Sequence, residues 1–251
     1  MESGSSPRTS SNNSSLWSAD VVNAKQPGNG KRERAPYDWY RESPRAVEQL
    51  LARVDFGNDL IWDPCCGAGN VLDVAERWGH ETVGSDIIDR QPRHRFIRGN
   101  ILTQISSMPT RPGHETSIIS NPPYGYEKDL AERIITHVLE RYAVRKAAFI
   151  LPIGFLCGQE RWGPGRLARW KPSQVCIYRE RHTMPPGHLI DQMAEPYAGG
   201  MADYVVLVFT RPHRWQTETI WLPVGHQVPR ARAPQPRGEN DAPQEDARRR
   251  A

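Results

Sequence analysis

The run Ile118-Ile119-Ser120-Asn121-Pro122-Pro123-Tyr124-Gly125 constrains this chain more tightly than any other stretch. Its apolar start reads as the end of a buried strand. Pro122 and Pro123 then stop the ladder, since neither has an N–H to donate and each pushes the residue before it toward extended geometry. The expected product is a stiff loop at a strand's end that offers backbone carbonyls, the Asn121 amide and the flat Tyr124 ring. Such a loop suits a planar amino group. An exocyclic amine is a poor nucleophile because its lone pair is delocalised into the heterocycle. The Asn121 side-chain oxygen and the Pro122 carbonyl are two acceptors that take its two hydrogens and localise that pair, while Tyr124 stacks on the base and fixes its plane.

A second constellation lies upstream. Leu60-Ile61-Trp62 predicts a strand, Asp63-Pro64-Cys65-Cys66-Gly67-Ala68-Gly69-Asn70 a turn, and Val71 to Trp78 a helix. This strand, glycine loop and helix make a nucleotide-binding unit of Rossmann-like type, in which glycines let backbone approach a ligand where a Cβ would collide. The dinucleotide spacing GxGxxG is absent. Thr82 to Asp86 predicts a second strand ending in an acid, roughly 20 positions past the glycine loop, where it can bind ribose hydroxyls. A third strand, Arg95 to Arg98, leads to Gly99-Asn100-Ile101.

On these residues the chain resembles the S-adenosylmethionine-dependent amino methyltransferases, above all the DNA adenine-N6 family. Asn121-Pro122-Pro123-Tyr124 is similar to their catalytic motif, and Asp63-Pro64-x-x-Gly67-x-Gly69 to their glycine-loop motif. Across residues 35–223 the resemblance implies a class I Rossmann-like α/β fold, an open, mostly parallel sheet with helices on both faces. It implies catalysis by Asn121, Pro122, Pro123 and Tyr124. It also implies that S-adenosylmethionine is held by Tyr40, Ser43, Asp63, Pro64, Cys65, Gly67, Gly69, Asp86, Ile87, Asn100, Ile101 and Asn121. Ser43 stands where the family usually has threonine, and Asn100 where it usually has aspartate; an asparagine oxygen still accepts, without charge assistance. The implied substrate is adenine N6 in double-stranded DNA, flipped out of the stack. The same loop also serves enzymes that methylate adenine in RNA or the glutamine amide of release factors. A catalytically silent module that binds cofactor or nucleic acid is the alternative from another class.

Composition bounds the rest. A chain of 251 residues has room for one good-sized domain plus tails. Its 33 Lys+Arg against 29 Asp+Glu, with a pI near 9.0, permit a nucleic-acid partner without demanding one. The four cysteines have no zinc spacing, and no metal is expected. No run approaches a membrane span and the Ser/Asn-rich start lacks an apolar targeting segment, so a cytoplasmic protein without a membrane partner is expected. Residues 1–34 and 224–251 read as disordered tails flanking the domain. Between them, Pro44 predicts a helix start with Ser43 as its cap. Residues 159–171 interleave bases and aromatics, which fits either a nucleic-acid surface or a half-buried helix. Residues 179–201 form a long polar segment, a candidate substrate-recognition loop, in which His182 and His188 are expected to be solvated.

Overall fold

Short apolar runs predict strands, and a computed structural model of the chain contains eight strands among the described residues, most of them buried. The structure describes residues 34–125, 127–163, 166–213 and 216–228; the expected tails, 1–33 and 229–251, lie outside the described residues. In chain order the strands are β1 (Leu60–Asp63), β2 (Thr82–Asp86), β3 (Arg95–Arg98), β4 (Thr116–Ser120), β5 (Lys146–Pro152), β6 (Gln174–Ile177), β7 (Tyr204–Thr210) and β8 (Glu218–Trp221). They form one sheet in the order β3-β2-β1-β4-β5-β7-β6-β8. β7 alone runs against its neighbours, pairing Lys146 with Thr210 through Pro152 with Tyr204.

Among the described residues three α-helices cover this sheet: α1 (Pro44–Leu51), α2 (Asn70–Arg77) and α3 (Leu130–Arg141). Successive strand residues point to opposite faces, so one strand feeds two cores. Leu60, Trp62, Ile118 and Phe149 pack with Ile134, Ile135, Val138 and Leu139 of α3. Ile61, Ile119, Ala148 and Ile150 pack with α1 and α2 on the other side. The fully buried Trp62 shows how polar atoms are reconciled with burial. Its Nε1 donates to Ser85 Oγ at 3.0 Å while its ring meets Tyr142 edge-on at 5.1 Å.

Several local expectations change. Ser43 precedes α1 but makes no side-chain cap; its carbonyl accepts from the Ala46 N–H at 3.0 Å. Residues 159–163 and 166–171 form turns and a short 3-10 helix (Leu167–Arg169) rather than an α-helix. Their bases bond inward: Arg166 forks onto Glu132 of α3, and Arg161 donates to the Phe155 carbonyl at 2.8 Å while lying over its ring. His182 is buried, not solvated, with Nε2 at 2.9 Å from Gln49 Oε1; His188 is exposed as expected. Gly225–Gln227 forms a short 3-10 helix, and Gly225 donates to Glu180 at 3.2 Å, so chain beyond residue 223 docks on the domain. Among the described residues no helix is long and apolar enough to cross a membrane, and no group of His, Cys, Asp and Glu is placed to hold a metal.

Candidate functional site

The order of strands dictates where a ligand fits. From β1 the chain steps outward to β2 and β3, then returns to β4 on the other side of β1. The loop after β1 leads to α2 on one face and the loop after β4 leads toward α3 on the other, so the two diverge and leave a crevice at the strands' carboxyl ends. A cavity of about 190 Å3 opens there.

Asn121 is the first residue past β4 and reaches this cavity from below. Its amide nitrogen donates to Glu42 Oε1 at 3.0 Å and faces the Met184 sulfur at 3.7 Å. Its oxygen, Oδ1, is buried and has no hydrogen-bond partner among the described residues. A buried acceptor without a donor costs about 1–3 kcal/mol, so a structure that keeps one at a cavity wall points to a donor arriving from outside the chain.

Gly67 forms the opposite wall. It has φ +54°, and a Cβ there would come within 2.7 Å of Trp39 Nε1. Trp39 belongs to a strap, residues 34–41, whose residues 37–40 line the cavity. The strap is held by the pairing of Tyr40 with Pro186, by Arg41 N–H to the Pro185 carbonyl and by Gly187 N–H to the Trp39 carbonyl, each bond at 2.9 Å. Gly187 is required here, because any Cβ would enter the Trp39 ring at 2.2 Å. Farther along the strap, the buried Asp38 carboxylate accepts from the Tyr124 and Gly125 N–H groups at 2.9 and 2.7 Å. It thereby ties the strap to the proline loop.

Asp86 closes the third side. Its oxygens accept from the Gly67 N–H at 2.9 Å, the Ile88 N–H at 3.0 Å and Arg90 at 3.1 Å. Arg90 in turn lies 4.4 Å over the Trp39 ring. Asn100 spends its side-chain oxygen on the Leu102 N–H at 2.9 Å, which shapes the turn before Ile101.

Electrostatically the site is acidic. Arg90 pairs with Asp86 and Arg133 with Glu127 along the wall, and Asp38 with Arg34. Glu42 has no ion pair among the described residues, and burial raises its carboxyl to about 7 against the help of Asn121 and Arg41. Burial also pushes Asp63 well up, with the Glu42 charge adding to it. Cys65 and Cys66 are raised by burial too, which leaves both as inert thiols.

Of the sequence-predicted residues, Tyr40, Pro64, Cys65, Gly67, Asp86, Ile87, Asn100, Ile101, Asn121 and Pro123 line the cavity. Others do not. Asp63 accepts from Ser120 Oγ at 2.7 Å and the Cys65 N–H at 3.0 Å, so it braces β1 against β4 behind the wall. A Cβ on Gly69 would meet His94 at 3.2 Å and Pro92 at 3.3 Å; it serves helix-entry packing. Ser43 is buried, and neither Ser43 nor Pro122 is among the residues that line the cavity, although the flanking Asn121 and Pro123 both do. The Tyr124 ring packs half-buried against both cores, and burial with the neighbouring Tyr204 hydroxyl drives its own hydroxyl pKa far up. Sequence reading missed Asp38, Trp39, Glu42 and Arg90. Glu42 is 79 positions from Asn121 in the chain, and no spacing signal links them.

No family model and no curated protein sequence matches the chain. Solved structures are similar to parts of it. The methyltransferase subunit of a type I restriction-modification system from Streptococcus thermophilus is 13% identical with a TM-score of 0.47; the match covers 75% of this chain and 48% of that one. This chain thus spans about half of that protein's length. The 23S rRNA methyltransferase ErmE is 14% identical over 70% of each chain, TM-score 0.43. A TehB-like SAM-dependent methyltransferase from Corynebacterium glutamicum is 18% identical over 66% of this chain and 86% of its own, TM-score 0.37. At these values the likenesses carry no functional assignment.

Proposed function

We propose that this protein is an S-adenosylmethionine-dependent methyltransferase acting on an exocyclic amino group, adenine N6 in DNA. The observation that carries the reading is the buried, unpartnered Asn121 Oδ1 at the wall of a cavity whose other wall is the glycine loop. The residues present fit such a cofactor. Gly67 keeps the loop low, Asp86 stands at the end of β2 where ribose hydroxyls are bound, and Glu42 with Asp63 behind it favours a ligand carrying positive charge. When bound, S-adenosylmethionine supplies a sulfonium-activated methyl group, whose transfer to an amine leaves a thioether and frees one amine proton.

The chain's own contribution is orientation. Asn121 Oδ1 accepts one hydrogen of the target amine and the Pro122 carbonyl the other, which turns the nitrogen lone pair out of conjugation. Pro122 and Pro123 hold these acceptors rigidly, and the Asp38 bonds to Tyr124 and Gly125 fix the loop from outside. Trp39 excludes water from above. These effects raise the rate by positioning and electrostatics, without a strong base.

Labelled methyl transfer to DNA, RNA and release factor, run side by side, tests the substrate. Label in N6-methyladenine of DNA is expected; label in RNA or protein alone would overturn the DNA assignment. Calorimetry on Gly67→Val tests the cofactor, because the side chain enters the Trp39 ring and strains a left-handed backbone. Binding is expected to vanish, and unchanged affinity would contradict the site.

A further inference from the structure

We propose that Glu42 is a positioning residue for Asn121: as a carboxylate it holds the amide nitrogen and so keeps the amide oxygen turned to the substrate. The inference rests on the methyl-transfer reading and adds to it a residue and a pH response. The geometry starts from a property of asparagine. Its amide has two ends of nearly equal size, an acceptor oxygen and a donor nitrogen, and only the oxygen can take a hydrogen from an amine. Something must decide which end faces the cavity.

Two acceptors decide it here. Glu42 Oε1 sits 3.0 Å from the Asn121 nitrogen, and the Met184 sulfur sits 3.7 Å from the same atom. A carboxylate has no hydrogen to give, so the reversed amide would set oxygen against oxygen. Glu42 is itself fixed. Asn70, the first residue of α2, donates to the Glu42 carbonyl at 3.1 Å and to the Tyr197 hydroxyl at 2.9 Å, and accepts from Arg41 at 2.8 Å. One asparagine thus knots the strap, the glycine loop and the long polar segment around the glutamate.

Protonation removes the discrimination. A neutral Glu42 carries an O–H that can donate to the amide oxygen, and the reversed amide then presents N–H groups that repel an amine. The groups around Glu42 place this change near neutrality. Burial disfavours the carboxylate and Asp86 adds to this, while Asn121 and Arg41 favour it, and the value lies at about 7; Asp63, itself pushed well up by burial, feels the Glu42 charge in turn. Tyr124, Tyr197, Tyr204, Cys65 and Cys66 also feel the Glu42 charge, but all are raised above their ordinary values and stay neutral there.

The test combines kinetics with NMR on the full chain. Single-turnover transfer at saturating cofactor is followed against pH in wild type and in Glu42→Gln. The wild-type rate is expected to rise about tenfold over two pH units centred on the Glu42 midpoint. The Glu42→Gln rate is expected to be flat and close to the wild-type acid limb, since a glutamine can bond either end of the amide. In parallel, 13C-carboxyl NMR locates the Glu42 midpoint and 15N NMR follows the Asn121 side-chain amide, with and without S-adenosylmethionine. Both signals are expected to move together and to share the kinetic midpoint. Glu42→Gln keeping the wild-type rate and pH limb would overturn the proposal, whatever its cofactor affinity. So would an Asn121 amide signal that ignores the Glu42 titration. If no substrate is methylated while the two NMR signals still titrate together, the positioning role stands and the methyl-transfer reading fails.

Discussion

At the residue scale, Asn121 and Tyr124 were both singled out by one motif, and the structure separates them. Asn121 presents an unpartnered oxygen to the cavity, and in the proposed reaction Asn121→Ala removes an interaction made mainly in the transition state. Its turnover is expected to collapse while cofactor affinity in calorimetry stays near wild type. Tyr124 braces the two cores. Tyr124→Phe loses only the contact with Tyr204, about 1 kcal/mol, whereas Tyr124→Ala leaves a partly filled hole and is expected to cost about 2–3 kcal/mol in chemical denaturation. Glu42 supplies a pH signature of the fold as well. Its folded carboxyl lies at about 7 against 4.5 unfolded. The folded state therefore binds the proton more tightly, and stability falls as pH rises between those values, then stays level. Denaturation of Glu42→Gln alongside wild type is expected to show the variant gaining roughly 3 kcal/mol above neutrality relative to its standing in acid. The motif residues were legible because their chemistry is local. Glu42 was not, because only the fold brings it to Asn121.

Among the elements, the strands and α-helices predicted outside residues 159–171 are present, because each carries its own apolar run and its own breaker. What spacing could not give is how the irregular segments dock. The strap at residues 34–41 owes its place to Pro185, Pro186 and Gly187, far along the chain. Trp39→Ala opens this roof, and stopped-flow release of S-adenosylmethionine is expected to quicken by about 5- to 30-fold, the scale of a lost cation–π or packing contact. The polar segment after β6 looked solvated from its composition, yet His182 is buried against Gln49 and the Tyr178 ring. Burial lowers His182 to about 4 from 6.5. The unfolded state therefore binds its proton more readily, and this docking contributes fully above pH 6.5 and is lost as pH falls toward 4. Hydrogen exchange across residues 179–203 is expected to accelerate in that window, ahead of the central strands. Equal protection at both ends of the window would contradict a His182 anchor.

For the whole molecule, the crevice follows from strands that alternate with helices and carry the candidate site residues at their carboxyl ends. The reversed β7 was not legible: its run Tyr204-Val205-Val206-Leu207-Val208-Phe209 is equally apolar in either direction, and only pairing with β5 and β6 sets its sense. All cavity residues fall within 37–134, so a chain trimmed to residues 34–228 is expected to bind S-adenosylmethionine as the full chain does. The proposed chemistry depends on Asn121 Oδ1 receiving the target amine. It is tested most directly by single-turnover transfer of labelled methyl to DNA by wild type and Asn121→Ala, with products resolved as nucleosides. The expected result is N6-methyladenine from wild type and a loss of about 100-fold or more in the variant at unchanged cofactor affinity. Asn121→Ala turning over at the wild-type rate would contradict it.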